Sequence, residues 1–305
     1  MTSYTKILHI ILTVFLILGA SMHLSGQNSV NELGLRTVVI DPGHGGKDPG
    51  ALGKTRKTDE KHIVLSVAKS VGAKIKAAYP DVKVIYTRST DVFVELKERA
   101  NIAKRNKADL FISIHCNSAE NTRAYGASAW ILGPKSNNPK NTSNYFEKSQ
   151  SVAQRENSVM LLEDDYQTKY EGFNPNSPES YIIFSLLQNV HQEQSIRYAA
   201  NVQSQFAKGP ITVNRGVKQG GLLVLWKTTM PAVLTEIGFI SNPKDCAVLV
   251  SKSGQDQFAR KLFNAFKAYK MSVEAGSSVK EPAPAPAAPV AAVEPQKPAE
   301  KPAEK

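Results

Sequence analysis

"VVIDPGHGGKDPGAL" spans Val38–Leu52. Its first four residues are a short apolar run ending in an acid, the pattern of a buried strand. The rest is a turn with four glycines around a single histidine, His44. Glycines on both sides let the backbone turn tightly and leave the imidazole uncovered. A phosphate-binding loop would need Gly-Lys-Ser/Thr opening a helix, and here Gly46-Lys47 runs into Asp48-Pro49. The stretch therefore predicts a strand whose carboxyl end presents one histidine.

Outward from it, strand and helix patterns alternate. "EKHIVLSVAKSVGAKIKAAY" places Val64, Val67, Ala68, Val71, Ile75 and Ala78 on one helical face. "VKVIYTR" reads as a strand, "VELKERANIAKRN" as a helix, and "ADLFISIHCN" and "GASAWIL" as strands. "LLVLW" and "PAVLTEIGF" are read as two more strands, and "GQDQFARKLFNAFKAYK" as a closing amphipathic helix. Alternating elements with nearly continuous apolar strands predict one α/β domain, a mostly parallel twisted sheet flanked by helices on both faces.

The pattern breaks over about 133–194. "GPKSNNPKNTSN" is loop-like, "YFEKSQSVAQRENSVML" is helical in pattern, and "EDDYQTKYEGFNPNSPES" is polar and turn-rich. An interruption of this length in a regular fold points to function or disorder. The domain is thus expected over 36–272 with this insertion, after a short segment at 27–35.

The ends differ from the domain. "MTSYTK" followed by "ILHIILTVFLILGA" has the charge and apolar core of a secretory signal, with cleavage expected after residue 26. The apolar run is shorter than the roughly 20 residues that span a bilayer. No stable membrane span is expected after cleavage, and the mature chain is expected in the periplasm or outside the cell. Residues 275–305 form a Pro/Ala/Lys/Glu tail with too little apolar mass to pack. The formal charge of +11 falls to +10 without the signal's one lysine, and the tail's four Lys and four Glu cancel. The excess positive charge therefore sits on the domain, which suits a polyanionic surface such as cell wall. Aromatic–basic interleaving of a nucleic-acid binder is absent. Cys116 and Cys246 could pair in an exported chain, but two cysteines make no disulfide framework.

Four residues carry chemistry. His115 ends "DLFISIHCN", where alternation puts Phe111, Ser113 and His115 on one face and Leu110, Ile112 and Ile114 on the other. Cys116 points away from His115, which disfavours a Cys–His nucleophile pair. Glu60 opens the helix after the His44 turn; the helix dipole alone favours an acid there, and the returning loop can also reach the His44 crevice. Glu236 lies in "PAVLTEIGFIS", and an acid inside such a strand is costly unless paired, ligated or used. His44, His115 and Glu236 lie toward strand carboxyl ends, the edge where α/β sheets form ligand crevices. Two histidines and a glutamate make a catalytic zinc set with water in the fourth place. A further carboxylate must then move the water's proton, a role that suits Glu236.

"IDPGHGGKDPGA", "EKHIVL", "ADLFISIHCNS" and "NRGVKQGGLLVLWKTTMPAVLTEIGFISNPKD" resemble the signature blocks of the zinc-dependent N-acetylmuramoyl-L-alanine amidases of bacterial cell walls. The resemblance covers most of Thr37–Tyr269. It implies one zinc bound by His44, Glu60 and His115, Glu236 as the catalytic carboxylate, and hydrolysis of the bond between the muramoyl lactyl group and L-alanine in peptidoglycan. The loop before Glu60 lacks a glycine common in the family, which keeps Asp59 as a substitute ligand; Cys116 stands where alanine is usual. Some family members with long insertions look self-inhibited, with an inserted carboxylate on the zinc and a protein activator to displace it. The acids available here are Glu156, Glu163, Asp164 and Asp165; Glu163 is favoured, with Glu179 in reserve. A zinc peptidase acting on stem peptides, and a non-catalytic wall-binding or activator protein, are the competing readings.

Overall fold

Six strands form one sheet in the order β2-β1-β3-β6-β4-β5: β1 (Thr37–Pro42), β2 (Lys83–Tyr86), β3 (Leu110–Asn117), β4 (Ala127–Leu132), β5 (Asn214–Gly220) and β6 (Ala232–Phe239). This is a computed structural model, and it describes residues 34–133, 151–181, 191–211 and 213–276. The expected signal and tail, with parts of the insertion, lie outside the described residues. β1 pairs in parallel with β2 and β3, β3 with β6, and β4 with β5; only β4–β6 is antiparallel. The longer helices flanking the sheet include α1 (Glu60–Ala78), α2 (Leu96–Arg105), α3 (Gln192–Phe206), α4 (Pro243–Val250) and α5 (Lys252–Gly276).

The strands are apolar on both faces because both faces are covered. Val38, Ile40, Ile112, Ile114, Cys116 and Val233 face a core shared with α1, α3 and α5. Val39, Phe111, Trp130 and Leu234 face a second core shared with α2. Each fully buried Val, Ile or Phe contributes about 1.5–3 kcal/mol, so β3 and β6, buried at every position, are the rigid centre of the sheet. On α1 the buried face includes Val64, Val67, Ala68, Val71 and Ile75 but ends before Ala78, which is exposed.

The insertion is built into this second core. Val152, Ala153, Val159, Met160, Tyr170 and Phe173 pack there, beside Leu222–Leu225. Residues 151–157 are helical, a 3-10 turn follows at Ser158–Leu162, and a four-residue helix at Tyr166–Lys169.

Two element readings need correction. "LLVLW" forms a helical turn at Leu223–Trp226, because a short buried apolar run reads alike as strand or helix. "NRGVKQG" forms β5, an edge strand whose residues are exposed or half-buried and so carry no apolar signal. Cys116 and Cys246 are both buried and both free.

Candidate active site

β1 ends at Pro42, and the next three residues hold a backbone that does not stand alone. His44 has φ 60°, a left-handed conformation that costs a non-glycine residue about 1–2 kcal/mol. Two arginines hold it. Arg99 Nη1 donates to Pro42 O and Arg99 Nη2 to His44 O, both at 2.8 Å. Arg88 Nε donates to Pro42 O at 3.0 Å and Arg88 Nη2 to Gly43 O at 2.7 Å. Arg99 is itself buried and paired with Asp41 at 2.8 Å, whose carboxylate also accepts from Thr87 and Ser113. Burial alone would raise the Asp41 carboxyl, but Arg99 and these hydroxyls hold it below its ordinary value.

The turn aims His44 at His115 from β3. His44 Nε2 and His115 Nδ1 lie 3.1 Å apart. Glu60, at the first turn of α1, places Oε1 at 3.2 Å from each of them. Its position is fixed by two backbone donors, Cys116 N to Oε1 at 2.7 Å and Ala51 N to Oε2 at 2.8 Å. Gly50, with φ 67°, makes room: a Cβ there would meet His44 Cδ2 at 2.6 Å and Glu60 Oε2 at 2.7 Å. Asp48 Oδ2 binds His44 Nδ1 at 2.7 Å, the orienting carboxylate a metal-binding imidazole ordinarily has. Asp59 instead accepts from Gly53 N and sits beside, not in, the cluster.

A fourth donor arrives from the insertion. Glu156 Oε2 lies 2.8 Å from His115 Nδ1 and 3.4 Å from His44 Nε2. The five donor–donor distances stated run from 2.8 to 3.4 Å. Four ligands around a tetrahedral zinc with bonds near 2.0–2.1 Å would be separated by about 3.3 Å. The donor set, two imidazole nitrogens and two carboxylate oxygens, therefore fits zinc in both chemistry and spacing. Its charge also suits a cation. Burial would lower both imidazoles, but Glu60, Asp48 and Glu156 hold His44 well above its usual value, and Glu156 with Glu60 raises His115 to about 9.

Glu236, on β6, pairs in register with His115. Burial pushes its carboxyl up to about 8 despite the pull of Arg155, with Glu156 and Glu60 adding to the rise. Oε1 accepts from Arg155 Nη2 at 3.0 Å, while Oε2 has no hydrogen-bond partner among the described residues. His44, Glu60, His115 and Glu236 thus converge.

The favoured inserted acid does not join them. Glu163 accepts from Leu96 N at 2.9 Å, capping the start of α2, and from Tyr170 Oη. Glu179 is exposed and accepts from Ser177. Asp164 and Asp165 are exposed as well. The helix ends before these acids, and Asp165 has φ 53°, so Glu163 faces away from the histidines. Glu156 instead shares the buried face of 151–157 with Val152, Ala153 and Asn157. The roles of Arg88, Arg99 and Arg155 were not legible in the sequence, since each depends on contacts distant along the chain, whereas Asp48 lies four residues from His44 and its spacing was the signal missed.

A buried His-Glu-His cluster that could hold a metal ion, beside a buried acid at the carboxyl edge of a mostly parallel sheet, has the donors of a hydrolase site. The family model for N-acetylmuramoyl-L-alanine amidase matches residues 38–268. Amidase AmiA of Escherichia coli is 30% identical over 226 residues, covering 74% of this chain and 73% of that one. Amidase AmiC of the same species is 29% identical and covers 76% of this chain, which spans only 52% of AmiC's length. The crystal structure of the N-acetylmuramoyl-L-alanine amidase from Clostridium difficile 630 superposes with a TM-score of 0.56 at 26% identity, covering 78% of this chain and 98% of that one. The chain belongs to the N-acetylmuramoyl-L-alanine amidase family.

Proposed function

We propose that the protein hydrolyses the amide between the N-acetylmuramoyl lactyl group and L-alanine in peptidoglycan, with one zinc held by His44, Glu60 and His115. The observation that carries this reading is the near-tetrahedral convergence of buried donors beside Glu236. Bound zinc supplies a Lewis acid for the carbonyl and lowers the pKa of water to about 7. Asp48 keeps His44 Nδ1 protonated, which leaves Nε2 free as a ligand. Glu236 takes the proton from the attacking water and gives it to the leaving nitrogen, so that one amide and one water yield a carboxylate and an amine. A carboxyl raised toward neutrality suits that double role.

Glu156 Oε2, 2.8 Å from His115 Nδ1 and 3.4 Å from His44 Nε2, would take the place that a zinc-bound water needs. We read this as an inhibited state, relieved when a protein activator shifts the insertion. The basic charge and the expected signal support export to the cell wall. No helix among the described residues is long and apolar enough to cross a membrane.

The test is mass spectrometry of peptidoglycan digested with zinc-loaded protein. Free stem peptides beginning at L-alanine, beside peptide-free glycan, are the expected products. Cleavage between stem residues would make the protein a peptidase. A folded, zinc-loaded chain that releases nothing, even after Glu156→Gln, would make it a non-catalytic wall protein.

A further inference from the structure

The insertion occupies the site with two neighbouring residues of opposite charge. Glu156 takes its carboxylate to the imidazole pair, and Arg155 takes its guanidinium to Glu236. The two side chains also touch each other: Arg155 Nη2 lies 2.8 Å from Glu156 Oε1. Arg155 has two further acceptors, Asn117 Oδ1 at 3.0 Å and Ser118 O at 2.8 Å, both through Nη1. Asn117 and Glu236 are buried. Besides its neighbour Glu156, the cation thus has three acceptors, one of them the reactive carboxylate.

Hydrolysis of an amide makes the same pair of charges. The C–N bond breaks, the water oxygen stays on carbon as a carboxylate, and the nitrogen leaves with added protons as an ammonium. The carboxylate forms at the metal position and the ammonium at Glu236, which delivers the proton. A primary ammonium has three N–H donors, and Glu236 Oε1, Asn117 Oδ1 and Ser118 O supply three acceptors.

We infer that Glu236, Asn117 and the Ser118 carbonyl form the subsite for the leaving amine of the substrate, and that Arg155–Glu156 blocks the cleft as an analogue of the two products. The inference rests on the amidase reading and extends it. Asn117 positions the leaving nitrogen for protonation. Arg155 and Glu156 are adjacent and paired with each other, so a change that loosens one contact loosens the pair.

The experiment uses the zinc-loaded full chain carrying Arg155→Ala and Glu156→Gln, titrated by calorimetry with L-alanyl-γ-D-glutamate and with its N-acetyl form. Hydrogen bonds to a charged group predict that the free amine binds this variant at least about tenfold tighter than it binds the unaltered chain, and about tenfold tighter than the acetylated peptide does. Asn117→Ala in the same background removes the preference for the free amine with zinc content unchanged, and Asn117→Asp restores it. Equal binding of the two peptides, or a preference that survives Asn117→Ala, overturns the subsite. Hydrolysis of N-acetylmuramoyl-L-alanyl peptide by the same variant is scored separately. Cleavage without amine preference sinks the subsite and leaves the amidase reading standing, whereas a zinc-loaded variant that cleaves nothing sinks both. Should the double variant fail to hold zinc, Arg155→Ala alone gives the same comparison.

Discussion

The His44 turn and the 151–157 helix bring charge to the same place by different means. The turn is held by its own backbone: the carbonyls of Pro42, Gly43 and His44 each accept from a buried arginine. The helix reaches the site only with side chains, those of Arg155 and Glu156, and is anchored through Asn157 and apolar packing. Backbone groups cannot leave without unfolding the strand end, whereas side chains can be withdrawn by a small shift of their helix. The first arrangement suits a permanent metal site and the second a removable block.

This contrast can be broken at several points. Removing metal with a chelator should abolish hydrolysis, and zinc should restore it. His44→Ala and His115→Ala should each lose both metal and activity, read by metal content and product release; a metal-depleted variant with full activity would end the metal mechanism. Glu236→Gln should keep zinc and lose about 10²–10⁴-fold in rate, the usual worth of a positioned acid–base group. Loss of zinc in that variant would make Glu236 a ligand.

Arg99→Met tests the permanence of the turn. It strands Asp41 as a buried charge, an error worth about 3–5 kcal/mol in denaturant unfolding. The sign with pH follows from Arg99 holding the Asp41 carboxyl below its ordinary 3.8. That contribution is fully present above 3.8 and lost as pH falls through the lowered value. The unaltered chain should therefore unfold in acid at a lower pH than Arg99→Met, followed by circular dichroism. An unchanged acid midpoint would remove Arg99 from this role.

The removable half predicts smaller changes. Glu156→Gln weakens a charged contact to the histidines and should raise the basal rate at least about tenfold with zinc retained. A slower enzyme would show that the insertion serves substrate binding instead. Glu163→Gln should change the rate less than about twofold, because an amide oxygen can still accept from Leu96 N and Tyr170. A gain matching that of Glu156→Gln would return Glu163 to the site.

What was legible in the sequence follows the same division. His115 and Glu236 stand out because a polar residue in an apolar strand is expensive, and His44 because glycines bare it in a turn at the same sheet edge. Glu60 needed the family resemblance, since an acid opening a helix has an ordinary electrostatic explanation. In the insertion, helical periodicity could nominate acids but could not see the helix stop after Asn157, and so could not separate Glu156 from Glu163. β5 was missed because an exposed edge strand has no apolar signature. Arg88 and Arg99 were missed because their targets are backbone carbonyls more than forty residues away.

Asn157, next to the blocking pair, donates Nδ2–H to Gly221 O at 2.7 Å and accepts Leu223 N at 2.8 Å. Two buried hydrogen bonds contribute together about 2 kcal/mol, roughly a thirtyfold bias toward the closed form. If the insertion blocks the site as we propose, the rate before any activator arrives would be set by an asparagine bonded to Gly221, Leu223 and Tyr181 and not to the imidazoles or Glu236. Such a residue is a dial: its replacement would tune how safely the cell can store the protein while leaving the fully activated rate alone.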